Sequence, residues 1–213
     1  LPANLSDADM PALITADWII GGSDGLSNRI VNRLRQKEGL SYGSGSNITL
    51  PSFGNRAKWS VGAIVAPQNL AQAEKSLKDE LARAYRDGIT EAELAEAKRG
   101  IIGSRAVNRA QDGMVASNWV NNLETGRTWQ FSKETEAAIE ALTVEDVNKA
   151  LRRFCDVSKL TFALAGDLAK AKVAGKDFTQ PKNSSLSQST GLVSVCWQGL
   201  NLVRKVNMQI HIE

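Results

Sequence analysis

The sequence predicts an α+β fold, a layered sandwich in which helices pack on one face of a mainly antiparallel sheet. Three observations predict it. The elements run helix, helix, strand, strand, four helices, strand; two neighbouring stretches with a period of two are joined by a short turn segment; and the helical stretches carry apolar stripes.

Ser6-Asp7-Ala8-Asp9 offers helix caps, and Met10, Leu13, Ile14 and Trp18 follow at helical spacing until Gly21-Gly22 is expected to break the pattern. Ser23 or Asp24 is the expected cap of a second helix, in which Leu26, Ile30 and Leu34 form a stripe with Arg29 and Arg33 on another face. Gly39 is its expected stop, since glycine tolerates the left-handed conformation that ends helices. Beyond it Tyr42, Ser44, Ser46, Ile48 and Leu50 are expected on one face of a strand. Pro51 to Asn55 has turn composition, and Lys58 to Ala66 alternates through Trp59, Val61, Ala63 and Val65.

A long helix follows, with Leu70, Ala73, Leu77, Leu81, Ala84 and Tyr85 as its stripe and Asp87-Gly88 as its end. Thr90 and Glu93 form a capping box for the next, which turns Leu94, Ala97 and Ile101 inward. Gly100 and Gly103 inside that helix each cost about 1 kcal/mol against alanine, which favours a close packing contact there. Residues 111–124 suggest a helix ended by Gly126, Glu134 to Leu142 a shorter one, and Thr143 to Asp146 caps another with Val144, Val147, Leu151 and Phe154 inward. Ser158 to Ala165 reads as a strand closed by Gly166-Asp167. Residues 1–167 are thus expected to form one domain. Lys170 to Thr190 resembles a linker, Leu192 to Trp197 is apolar, and Val206, Met208, Ile210 and Ile212 alternate; 168–213 thus reads as a linker-like tail with room for one or two strands, the alternating run being open to two readings, an extra edge strand or a cloning or read-through artefact.

Composition narrows the function. With 213 residues, 42% hydrophobic and 23% charged, the chain can bury a real core, and a net charge of +3 is too small to imply nucleic acid or an anionic membrane as partner. Arg29, Arg33, Arg35 and Lys37 could contact phosphates, but Glu38 interrupts them, so no nucleic-acid role is expected. The two cysteines, Cys155 and Cys196, are far apart and form no metal motif; ordinary thiols are the expectation, with a single bridge left open. The single histidine, His211, leaves the chain poorly equipped for zinc, serine or cysteine hydrolysis by itself. No apolar run approaches the ~20 residues that span a bilayer. Leu1 in place of methionine is expected of a mature or excised fragment, which hides the compartment; a removed signal peptide would point to the bacterial periplasm.

One run stands out. In Leu34-Arg35-Gln36-Lys37-Glu38-Gly39-Leu40-Ser41-Tyr42 a basic helix gives way to a strand, aiming a guanidinium and a phenol from two elements at one place. Taken singly, such an arginine often caps helix carbonyls and such a tyrosine is often a half-buried strand residue. The run, with Gly21-Gly22 and Ser27-Asn28-Arg29 ahead of it, resembles the C-terminal, zinc-free half of the insulinase/pitrilysin family of zinc metallopeptidases. The likeness extends from about Asp7 to Asp167 and includes Gly-Ile-Thr-Glu-Ala-Glu-Leu at 88–94 and Leu-Thr-Val-Glu-Asp-Val at 142–147.

The resemblance implies a half-domain that closes over a peptide, opposite a homologous half carrying H-x-x-E-H and a distal glutamate for zinc. That partner would lie on the same full-length chain or on another subunit, and the half's own first strand is expected just before Leu1. Metal ligands and other cofactors are expected to be absent from this chain. Arg35 and Tyr42, seven positions apart, are the implied catalytic and substrate-binding residues, clamps for the substrate carbonyl and its oxyanion. The residue types suit this: arginine supplies a permanent charge with a planar fork of donors and tyrosine a single hydroxyl. The peptide would add as a strand chiefly to the zinc-bearing half. Trp119 and Trp129 could line the chamber, though tryptophans in amphipathic patterns are usually core. The family's structural members, which assemble respiratory complexes, supply the alternative: a non-catalytic scaffold.

Overall fold

The computed structural model describes residues 1–22, 27–165 and 206–212. Strand β1 (Ser41–Thr49) and strand β2 (Lys58–Val65) pair antiparallel as expected. Strand β3 (Thr161–Ala165) and strand β4 (Val206–Ile212) complete a sheet of order β1-β2-β4-β3, antiparallel at every pairing among the described residues. The run 206–212 therefore lies inside the sheet, bonded to β2 and β3, and not at the edge that one of its two readings gave it. Gly166-Asp167, the linker-like stretch and Leu192 to Trp197 lie outside the described residues.

Helix α1 (Met10–Asp17) does not stop at the glycine pair; it widens into a π turn, Trp18–Gly22. The glycines are there for proximity. A Cβ on Gly21 would come within 2.6 Å of the Ser46 nitrogen, and one on Gly45 within 2.9 Å of the Gly21 carbonyl, so the helix end lies directly on β1. Asp17 is buried at this junction and accepts hydrogen bonds from Trp59 Nε1 at 2.7 Å and Ser46 Oγ at 2.6 Å, pinning α1 to both strands of the hairpin. Burial pushes its carboxyl up, partly opposed by the bonds from Ser46, Trp59 and the Ile48 backbone.

Helix α2 (Arg29–Val31) widens into a π segment, Asn32–Lys37. Ser23 and Asp24, the expected caps, lie outside the described residues; Asn28 performs the capping, its side-chain oxygen accepting from Val31 N at 2.9 Å. After a 3₁₀ turn at Pro67–Asn69 come α3 (Leu70–Asp87), α4 (Glu91–Arg109), α5 (Asp112–Glu124), α6 (Trp129–Ala141) and α7 (Val144–Phe154). The predicted capping box of Thr90 with Glu93 forms, and the expected cap at Thr143 proves to be a second box, with Asp146. Helix α6 starts earlier than the expected Glu134 because Thr128 caps it, accepting from Gln130 N at 3.2 Å.

The core lies between the inward face of β2 and the helices. Trp59, Val61, Ala63 and Val65 meet Leu13 and Ile20, Ile30 and Leu34, Leu70, Leu77 and Leu81, and Leu151, all buried in one cluster. Gly100 makes the expected close contact, its absent Cβ lying 3.0 Å from the Trp18 indole; Gly103 faces open space, so no packing contact accounts for it. Helix α5 contains no buried residue. Cys155 is buried, which pushes its thiol up to about 12, and Cys196 lies outside the described residues.

Candidate functional site

The junction of α2 and β1 is built by a hydrogen-bonded turn. Leu40 N donates to Leu34 O at 2.8 Å, Glu38 N donates to Arg33 O at 3.2 Å, and Gly39 stands between them at φ 61°. The Leu40 bond reaches back six positions, one more than the Schellman bond, as the wider π turn requires; it closes the helix end around the left-handed glycine, and Leu34, fully buried, anchors its start. Arg35 therefore leaves the last turn of a helix whose inner face is fixed.

Tyr42 is aimed by a feature that alternation did not reveal. Ser41 pairs with Val65 and Gly43 with Ile64, so the two-residue step on β1 matches one step on β2 and Tyr42 is the extra residue of a β-bulge. The bulge corrects the expected face. Ser44, Ser46 and Ile48 stand opposite the core-facing Ala63, Val61 and Trp59, but Ser41, not Tyr42, takes the next inward place. Ser41 is buried and its hydroxyl bonds Gly43 O at 2.9 Å and Ile64 O at 2.8 Å, holding both sides of the bulge. Tyr42 is thrown outward, 80% exposed. The local signal was a small polar residue and a glycine flanking an aromatic, which many strands share.

The structure brings Arg35 and Tyr42 together. The Arg35 guanidinium carbon lies 4.6 Å from the centroid of the Tyr42 ring, a cation–π contact worth ~0.5–1 kcal/mol at exposed sites. Its basic neighbours are occupied otherwise. Arg29 grips Glu93 with two bonds, Nε at 2.6 Å and a terminal nitrogen at 2.7 Å, and donates to Gly88 O at 2.8 Å. Arg33 bonds Glu38 and approaches the buried Glu80 at 3.7 Å, and Glu38 also accepts from Ser76 Oγ at 2.5 Å. Burial pushes the Glu93 and Glu38 carboxyls up, but their partners outweigh it: Arg29 and Thr90 hold Glu93 down, and Ser76 and Arg33 hold Glu38 down. Among the described residues Arg35 has no carboxylate partner, which leaves its charge available.

The other candidates lie apart. Trp119 and Trp129 do meet, ring centroids 6.1 Å apart, but on the outside of α5 and α6, with Trp119 about half exposed, so they are not the core residues expected. His211 sits on β4 opposite Ser60 and Thr161. Among the described residues no three His, Cys, Asp or Glu side chains gather closely enough to hold a metal ion, and the buried Asp17 is committed to Ser46 and Trp59. These residues do not fit a zinc site.

Fold and site thus define an α+β half-domain that presents two donors at a helix-to-strand junction. The family model described as the peptidase M16 inactive domain matches residues 2–101. Among solved structures the chain is similar to a peptidase M16 inactive domain from Pseudomonas fluorescens, at 24% identity and TM-score 0.64 over 74% of this chain and 37% of that one. It is similar to a protease from Helicobacter pylori at 18% identity and TM-score 0.62, over 73% of this chain and 37% of that one. The inactive peptidase domain of a Bordetella parapertussis protein assigned as a zinc protease matches at 19% identity and TM-score 0.59, over 72% of this chain and 80% of that one. No curated protein sequence matches. Residues 2–101 thus match the inactive domain of the M16, or insulinase/pitrilysin, peptidases, and the fold of the chain is that of such domains. It spans 37% of the length of the first two of these structures, and no helix among its described residues is long and apolar enough to cross a membrane.

Proposed function

We propose that this domain is the substrate-clamping half of a zinc metalloendopeptidase, acting with a zinc-bearing H-x-x-E-H half on the same full-length chain or on a partner subunit. The observation that carries the reading is the convergence of Arg35 and Tyr42, two donors from separate elements, the second turned outward by a dedicated bulge. An exposed tyrosine beside an unpaired guanidinium contributes little to stability; the same pair facing a peptide carbonyl is well matched to charge that develops on oxygen during attack. Arg35 supplies the charge and the fork of donors, Tyr42 a single hydroxyl, and the helix and strand anchors hold both before substrate arrives. The metal and the activated water belong to the other half, so this chain alone is expected to be inactive.

The test is reconstitution with a zinc-bearing half and a fluorogenic peptide. Losing one oxyanion donor lowers rate by ~100- to 1,000-fold, so Arg35→Ala and Tyr42→Phe should each fall in that range in kcat. The complex itself should still form. If both variants cleave at the unaltered rate while pairing normally, the clamping roles are wrong and the domain is a scaffold for its partner.

A further inference from the structure

In the sheet order β1-β2-β4-β3, β1 has a strand partner on one side only. Two devices protect its other edge. The end of α1 closes it from Gly45 to Ile48: the Ile48 backbone and the Ser46 hydroxyl both donate to the Asp17 carboxylate, and Gly45 and the Ser46 nitrogen lie against Gly21. The bulge interrupts it at Tyr42. Ser44 lies between the two. In an antiparallel ladder alternate residues turn both N–H and C=O to the partner strand, and those between them turn both away. Ile48 bonds Asp17 and so turns away from β2; the register is unbroken from Thr49↔Lys58 to Gly43↔Ile64, so Ser44 turns away as well. Among the described residues neither Ser44 group has a backbone partner outside the sheet. Charged side chains and prolines, the usual guards of an edge, do not occur on β1, and the exposed Gly43 has no side chain to fold across.

We infer that this opening takes the main chain of the substrate, an extended peptide that exchanges both bonds of one antiparallel pair with Ser44 while Arg35 and Tyr42 hold an adjoining carbonyl. This rests on the reading of the domain as a peptide-clamping half, and it gives the peptide a line of approach along β1. Main-chain pairing of this kind accepts many sequences. Bounded by the bulge and by α1, the opening is one exchanged pair long. That suits a chain gripped nearby at Tyr42, and it is too short to dock a strand of another subunit by itself.

Ser44→Pro tests this, because it removes a donor that β2 does not use and puts a ring on the edge, where proline is tolerated. The Ser44 hydroxyl has no hydrogen-bond partner to lose among the described residues. The variant should melt close to the unaltered domain. In the reconstituted peptidase it should raise KM for a fluorogenic alanine- and valine-rich peptide about tenfold, the scale of one or two net hydrogen bonds. Methylating the peptide's amides one at a time should cost as much at one position, and that cost should vanish in Ser44→Pro, whereas amides bonded to the zinc-bearing half keep theirs. With the metal chelated and the peptide held uncleaved, the Ser44 amide of the unaltered pair should exchange about tenfold more slowly than without peptide. An unaltered KM in Ser44→Pro, methylation costs that all survive in it, or Ser44 exchange that ignores the peptide would each overturn the inference. Protection of Ser44 that grows with protein concentration in the absence of peptide would overturn it too, by placing a second copy on the edge. The clamp is judged separately. Full rates for Arg35→Ala and Tyr42→Phe beside an impaired Ser44→Pro would remove their roles and leave the edge, and the reverse pattern would remove the edge alone.

Discussion

Gly39 offers the cleanest perturbation of the junction that carries Arg35 and Tyr42. Its φ is 61°, and a Cβ built on it would have no heavy atom within 4 Å. Substitution therefore adds no clash, and the whole effect is the backbone preference of the new residue. For alanine the left-handed region costs roughly 1 kcal/mol, while asparagine, which bonds its own backbone locally, visits that region routinely. In a chain of 213 residues, ~1 kcal/mol corresponds to a melting shift of about 2–4 °C. Gly39→Ala should therefore melt lower by that amount, Gly39→Asn by a fraction of it, and Gly39→Val by more than either, since β-branched residues tolerate positive φ least. Thermal unfolding followed by circular dichroism reads the series. Because buried Leu34 and buried Ser41 anchor the two sides independently, the alanine variant should keep near-normal kcat in the reconstituted peptidase at temperatures well below its melting point. Equal melting of the alanine and asparagine variants would show that left-handed geometry does not set the junction.

Three further outcomes follow from buried contacts. Ser41→Ala removes the hydroxyl shared between Gly43 O and Ile64 O; it should cost about 1–2 kcal/mol and lower kcat by loosening Tyr42, whereas an unchanged kcat would separate the bulge from the site. Asp17 has its carboxyl raised by burial above the ordinary 3.8, so the folded state binds the proton more tightly than the unfolded chain. Its contribution therefore falls as pH rises from about 3.8 through the folded value, and Asp17→Asn should flatten that slope in denaturant titrations across the acid range. Glu93 is shifted the opposite way, below its ordinary 4.5, so its contribution is present above that value and is lost as pH falls through the lowered one. Glu93→Gln, which also breaks the two-bond grip of Arg29, should destabilise at neutral pH by about 2 kcal/mol and by less in acid; a loss independent of pH would point to packing alone.

The sequence by itself determined the local structure. Periodicity placed the hairpin and the long helices, Thr90 with Glu93 announced its capping box and Thr143 the cap of α7, and Gly39 marked the stop that sets Arg35 and Tyr42 seven positions apart. Each of these is a bond or a torsion within a few residues, so its signal is contiguous. Tertiary structure decided everything that depends on a distant partner. Gly21 reads as a helix breaker until Ser46 is seen pressed against it, and nothing local to Asp17 records that Trp59 and Ser46 close over it. The same holds for the run 206–212, which could not be known as interior until β2 and β3 were found on either side of it. The bulge is the decisive case. Alternation from Ser44 to Leu50 extends to Tyr42 on the inward face, and only the register against Val65 and Ile64 shows Ser41 there instead. Strand parity is set by pairing with another segment, so one extra residue on β1 reverses which side chain points out, and nothing local to Ser41-Tyr42-Gly43 records the count on β2.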